Sequence, residues 1–212
     1  MFNASGTEDH FSSAIVFYYV QIKRNCGIET SLLHQIQQFV ATFGPLMITI
    51  ISGTNRADSM TLKTANVYNR LLSENAGNVK VLSLENKQVW ERGPEMLALE
   101  KEYLIPAEKF LIIMPEYNAS FPGILKLMMD NSDIKKSWWY KKAALVGVSD
   151  GRAGNLRGLE HMTSILHYMK VHVLYNKVLL SRITEEIDNE GNIVKPETAA
   201  LINQQIEDFL KF

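Results

Sequence analysis

The chain has 212 residues, 46% of them hydrophobic and 21% charged, with a net charge of −1. That mixture suits one soluble globular domain, with or without an appendage, and it lacks the basic stripe of a protein that coats nucleic acid. The single cysteine, Cys26, excludes an intrachain disulfide and fits a reducing, cytoplasmic compartment, and five scattered histidines offer no zinc-like spacing.

Residues 1–44 read differently from the rest of the chain. The apolar run 15–20 is far shorter than the roughly 20 residues of a membrane span. It comes after Glu8 and Asp9 rather than the basic start of a signal peptide. Leu32, Leu33, Ile36, Phe39 and Val40 recur at helical spacing and predict an amphipathic helix over 31–42. Phe43, Gly44 and Pro45 then punctuate the chain. Residues 1–44 are expected to be an N-terminal extension, poorly ordered or loosely docked, or upstream sequence carried in by a wrong start.

From residue 45 onward, short apolar runs alternate with helical patterns. Run 46–51 reads as a first strand, and Leu62, Ala65, Tyr68, Leu71 and Leu72 mark the face of the helix after it. Run 79–82 is a second strand, with a helix near 95–103 after Gly93 and Pro94. The continuous apolar run 110–114 is of the kind buried on both faces of a parallel sheet. Ile124, Leu125, Leu127, Met128 and Met129 belong to the next helix, 143–148 to a fourth strand, and 171–174 to a fifth. Between those two strands, Leu156, Leu159, Met162, Ile165, Leu166 and Met169 repeat at three- and four-residue steps. After a turn at 188–192, Pro196 sits in the first turn of a last helix with Ile202, Ile206, Phe209 and Leu210 on its apolar face. The pattern predicts an α/β domain over 45–212: a doubly wound, five-stranded parallel sheet with helices on both faces.

In such a sheet, ligands bind beyond the carboxyl ends of the strands, where strand order reverses. Three loops stand there. After strand one come Thr54, Arg56, Ser59, Met60 and Thr61. Hydroxyls, a cationic fork and a helix N-terminus suit a phosphate monoester. Gly53 stands alone, so neither a P-loop nor a dinucleotide fingerprint is present. An ordinary capped strand-to-helix turn is the plain alternative. After strand three, Pro115, Glu116, Tyr117 and Asn118 form a loop stiffened by Pro122. Tyr117 offers a face to a flat ring, Asn118 can donate and accept, and Ser120 is expected to cap the next helix. A rigid turn that merely starts that helix is the alternative there. After strand four, Ser149 supplies a hydroxyl, and Gly151 and Gly154 permit close backbone approach. Glu116 has no paired carboxylate, and no acid–base or nucleophilic constellation is evident.

On these residues the chain from about 46 to its C-terminus resembles the NAD(P)H-dependent FMN reductases of the flavodoxin-like superfamily. The series Thr54, Arg56, Ser59, Thr61 is similar to that family's phosphate loop, which more often has Gly-Ser-x-Arg and ends in Asn. The most specific match is Pro115, Glu116, Tyr117, Asn118 followed by Ser120, Pro122, Gly123, Leu125 and Lys126, and the resemblance implies that this loop meets the isoalloxazine ring. Ser149 and Gly151 are similar to a third contact that usually carries a Gly-Gly pair, of which Asn155 replaces the second. The resemblance implies hydride transfer from NADH or NADPH to FMN, and onward to a small-molecule acceptor: quinone, azo compound, free flavin or metal ion. It also implies a homodimer or homotetramer. Trp138, Trp139 and Tyr140 mark either an interface or local packing. Two other readings stand beside it: an FMN electron carrier without pyridine-nucleotide activity, which a charge of −1 argues against, and a module that has lost flavin.

Overall fold

The computed structural model describes residues 46–212, so the expected extension over 1–44 and its helix lie outside the described residues. Strand β1 (Met47–Ser52) leads into α1 (Met60–Ser73), then β2 (Asn78–Ser83) and α2 (Pro94–Leu99), which continues as a π-helical turn over Glu100–Leu104. Next come β3 (Lys109–Pro115), α3 (Gly123–Asp130), the short α4 (Ile134–Ser137), β4 (Lys142–Val148) and α5 (Leu156–Tyr168). The chain closes with β5 (His172–Val173), β6 (Val178–Leu180), α6 (Ile183–Glu186) and α7 (Pro196–Lys211).

All strand pairs are parallel, in the order β2-β1-β3-β4-β5, with β6 also on β4. This is the flavodoxin-like order, and strand order reverses between β1 and β3. Every side chain of β1, and all of β3 but Pro115, is buried, as the continuous apolar runs require of a sheet covered on both faces. On one face Ile51, Phe110, Ile112, Met114 and Leu145 pack against α2, α3 and α5, together with Trp138. On the other, Ile48, Ile50, Leu111, Ile113 and Val146 pack against α1 and α7. Alternate residues of one strand thus feed two cores. Tyr68 ties α1 to α7 by donating to Gln205 Oε1 at 2.7 Å, and Gln205 Nε2 donates to the Leu145 and Asn176 carbonyls.

At the N-terminal ends of the strands, buried Lys109 donates from Nζ to the carbonyls of Phe209 (2.9 Å) and Leu210 (3.2 Å), closing the last turn of α7. Lys141 does the same for Leu104 and Ile105 after the π-helical turn. None of the helices among the described residues is long and apolar enough to cross a membrane.

Three local expectations differ from the structure. The expected strand over 171–174 is present as the two-residue β5, and a sixth strand, β6, is added beyond it; Lys142 and Ala143 of β4 meet the first, and Val146 to Val148 the second. Ser120 does not cap α3: Pro122 stands at that position with β-region φ/ψ, and Ser120 is drawn into a turn with Tyr117. Of the aromatic triplet, Trp138 is fully buried against Phe110, with ring centroids 4.8 Å apart, whereas Tyr140 is exposed.

Candidate active site

A cleft of about 230 Å³ opens at the carboxyl ends of β1, β3 and β4. It is lined by Thr54, Arg56, Ser59, Met60 and Thr61 from the first loop, Pro115, Glu116 and Tyr117 from the second, and Ser149 from the third. Asn118 and Gly151 stand outside its lining. Ala57, Val148, Asp150 and Ile183 line it as well, and the sequence reading missed all four. Ala57, Val148 and Asp150 each flank a chosen residue, so adjacency alone could have found them. Ile183 has no local signal: the Ile183 and Arg182 N–H groups donate to the Ser149 and Gly151 carbonyls, which brings α6 to the cleft.

The first loop is built around the start of α1. Ser59 takes β-region dihedrals (φ −74°, ψ 146°) and its Oγ accepts from the Leu62 N–H at 3.1 Å, a regular N-cap. The preceding first-turn N–H groups, from Met60 and Thr61, have no intrahelical acceptor, and the dipole makes that end an anion seat. Thr54 and Thr61 are buried beside it. Gly53 is the glycine of this turn for a steric reason: a Cβ there would fall 2.9 Å from Leu125 Cδ2 and 3.0 Å from the Ile113 carbonyl.

The second loop is held at both ends. Glu116 N–H donates to the Val148 carbonyl at 2.9 Å. Tyr117 and Ser120 exchange backbone bonds of 2.8 and 3.1 Å around Asn118 and Ala119, both at positive φ (50° and 63°), as in a type I′ turn. The left-handed region suits Asn118 and costs Ala119 roughly 1–2 kcal/mol. Ser120 Oγ lies 3.0 Å from His161 Nδ1 on α5, which anchors the far side of the turn.

Between the loops, Tyr117 is clamped. Its hydroxyl meets Thr54 Oγ1 at 2.9 Å, and the Arg56 guanidinium lies over its ring, 4.4 Å from the centroid. Arg56 therefore takes one face of the ring, which leaves at most one for a flat ligand. Arg56 is exposed and lines the same cleft as the first turn of α1.

The third loop is fixed by Ser149, whose Oγ donates to the Gly151 carbonyl at 3.0 Å. Asn155, at the second glycine position of the family pattern, has φ 63° and ψ 33°. That left-handed conformation is the one glycine would supply, and asparagine is the side chain that tolerates it best. Among the described residues no group of three metal-binding side chains is gathered.

The profile of the NADPH-dependent FMN reductase family matches residues 46–185. A 2-hydroxy-1,4-benzoquinone reductase from a Burkholderia species is 28% identical over 162 residues, spanning 72% of this chain and 88% of that protein. An NAD(P)H-dependent FMN reductase of Pseudomonas aeruginosa is 29% identical over 140 residues, spanning 64% of this chain and 76% of that one. Among solved structures, the flavoenzyme NAD(P)H:(acceptor) oxidoreductase FerB of Paracoccus denitrificans superposes with a TM-score of 0.64 at 22% identity, over 79% of this chain and 96% of that one.

Proposed function

The chain belongs to the NADPH-dependent FMN reductase family, oxidoreductases that use FMN and NAD(P)H, and on that premise we propose that it seats FMN in the cleft and reduces a quinone. The observation that carries the reading is the convergence of three strand-end loops on one cleft at the switch point, with the first turn of α1 at its floor.

The donor set fits a terminal phosphate. Two first-turn N–H groups, the Ser59, Thr54 and Thr61 hydroxyls and the Arg56 fork match an anion with several oxygens to satisfy. The turn-locked second loop presents its peptide groups at a fixed height, which suits the edge of a flat ring and costs little reorganisation. FMN, when bound, supplies the redox chemistry by taking a hydride from NAD(P)H and returning two electrons to the acceptor. This chain's residues bind and orient; no side chain has to supply a nucleophile. A quinone that gains the hydride and one solvent proton leaves as a hydroquinone, and the nicotinamide leaves oxidised. The quinone class is supported by the Burkholderia benzoquinone reductase, with which the chain shares most of its length.

Anaerobic titration of FMN-loaded protein with NADPH and NADH separately tests this. Flavin absorbance at about 450 nm should bleach with either nucleotide or both, and 1,4-benzoquinone should restore it. Flavin that does not bleach defeats the assignment, whereas bleaching that benzoquinone fails to reverse defeats only the acceptor.

A further inference from the structure

Asn155 stands at the N-cap of α5, yet its side chain makes no cap bond. It is fully buried, and its Nδ2 donates instead to the carbonyl of Met114, 41 residues away at the end of β3 and 3.0 Å distant. Its Oδ1 is buried with no partner among the described residues. An unpaired buried acceptor is costly, because it has lost its water and gained no donor.

One glycine is shaped around this side chain and another around the backbone that carries it. A Cβ at 158 would fall 2.2 Å from Asn155 Oδ1. A Cβ at 147 would fall 2.1 Å from the Gly154 carbonyl and 3.2 Å from Asn155 Cβ. The space for the carboxamide therefore depends on the absence of a side chain at 158 on α5, while glycine at 147 on β4 makes room for the Gly154 carbonyl and the Asn155 Cβ. Met114 immediately precedes Pro115, Glu116 and Tyr117, which line the cleft.

We propose that Asn155 is a positioning residue whose carboxamide, gripping the Met114 carbonyl, sets the height of the Pro115–Tyr117 segment over the cleft. The third loop thereby fixes the second without touching the ligand. That this height matters for FMN rests on the proposed function; the grip itself does not.

Asn155→Gly keeps the left-handed conformation and deletes only the amide, and Asn155→Asp keeps the shape but turns the donor toward Met114 into an acceptor. In cofactor-free protein, amide hydrogen exchange at Glu116 and Tyr117 should speed up about fivefold to tenfold in both variants, as expected for one lost hydrogen bond. Exchange in α1 should not change. FMN affinity, read by fluorescence quenching, should weaken by a similar factor. Unchanged exchange at Glu116 and Tyr117 in Asn155→Gly overturns the proposal. So does a uniform acceleration across α1 and α5, which marks a purely structural residue. If either variant fails to fold, the other carries the test. Wild-type protein that ignores FMN would remove the cofactor reading and leave the exchange result to stand on its own.

Discussion

The two ends of the sheet solve opposite problems. At the N-terminal ends of the strands, Lys109 and Lys141 spend their donors on carbonyls that end α7 and the π-helical turn, so that end is closed on itself. At the carboxyl ends, α1 opens with unbonded N–H groups. Asp58, Asn118, Ala119, Asn155 and Arg182 sit at positive φ there, while Tyr140 and Lys170 do so at the opposite end, so left-handed backbone does not distinguish the two. Ser52 Oγ and Asn155 Oδ1 are buried without partners among the described residues. One end spends its donors internally, while the other leaves the first N–H groups of α1 without an intrahelical acceptor. The lesson is that substitutions at the two ends should separate binding from stability.

The largest effect is expected at Arg56. Arg56→Ala should raise the dissociation constant for FMN about 10- to 100-fold, the magnitude of a charge-assisted hydrogen bond. Hydride transfer at saturating FMN and the melting temperature should change little. Fluorescence titration and stopped-flow absorbance check this, and unchanged FMN affinity would break the contrast at its stronger side. Gly147→Ala should cross the divide. Its new methyl meets the Gly154 backbone carbonyl, so it should cost about 1–3 kcal/mol in urea unfolding and also loosen FMN.

Lys109→Ala tests the closed end. It strips two carbonyls of their donor and should cost about 1–2 kcal/mol, with FMN affinity within about twofold of wild type. The smallest effect is one of pH. Burial pulls Lys109 down to about 8, the Lys142 charge adds to this and Glu108 opposes it. Burial likewise brings Lys141 to about 8 against the pull of Glu108. Both folded values lie below the unfolded lysine value of about 10.4, so above pH 8 the unfolded chain binds more protons and stability rises with pH. Burial raises Tyr68 in the folded state, which reverses the trend once unfolded tyrosine ionises near pH 10. Between about pH 8 and 9.5, stability should climb on the order of 1 kcal/mol, and by less in Lys109→Ala. A melting-temperature series in that window decides it.

Much of this contrast was legible in the sequence, because the strands are apolar runs and the loops carry distinctive polar residues at their ends. β1, β3 and β4 differ from expectation by a residue or so at each end. What escaped depends on contacts between distant segments. β6 is three residues with Leu179 partly exposed, too short to show a period. The turn at Tyr117–Ser120 lacks the glycine that usually announces it, since Ala119 takes the second left-handed position. Without that glycine, Ser120 beside Pro122 looks like a helix cap. Asn155 showed only as a departure from a glycine pattern; its bond to Met114 links residues 41 positions apart, beyond the reach of any local reading.

The two short strands at the β4 flank have an effect on how copies of this protein meet at high concentration. An exposed rim of unpaired peptide groups invites a neighbour to add itself as another strand, and continued addition ends in fibrils. Here that rim offers two residues, a break, then three. Among the described residues that flank offers no continuous template, and short, interrupted edges of this kind disfavour strand addition.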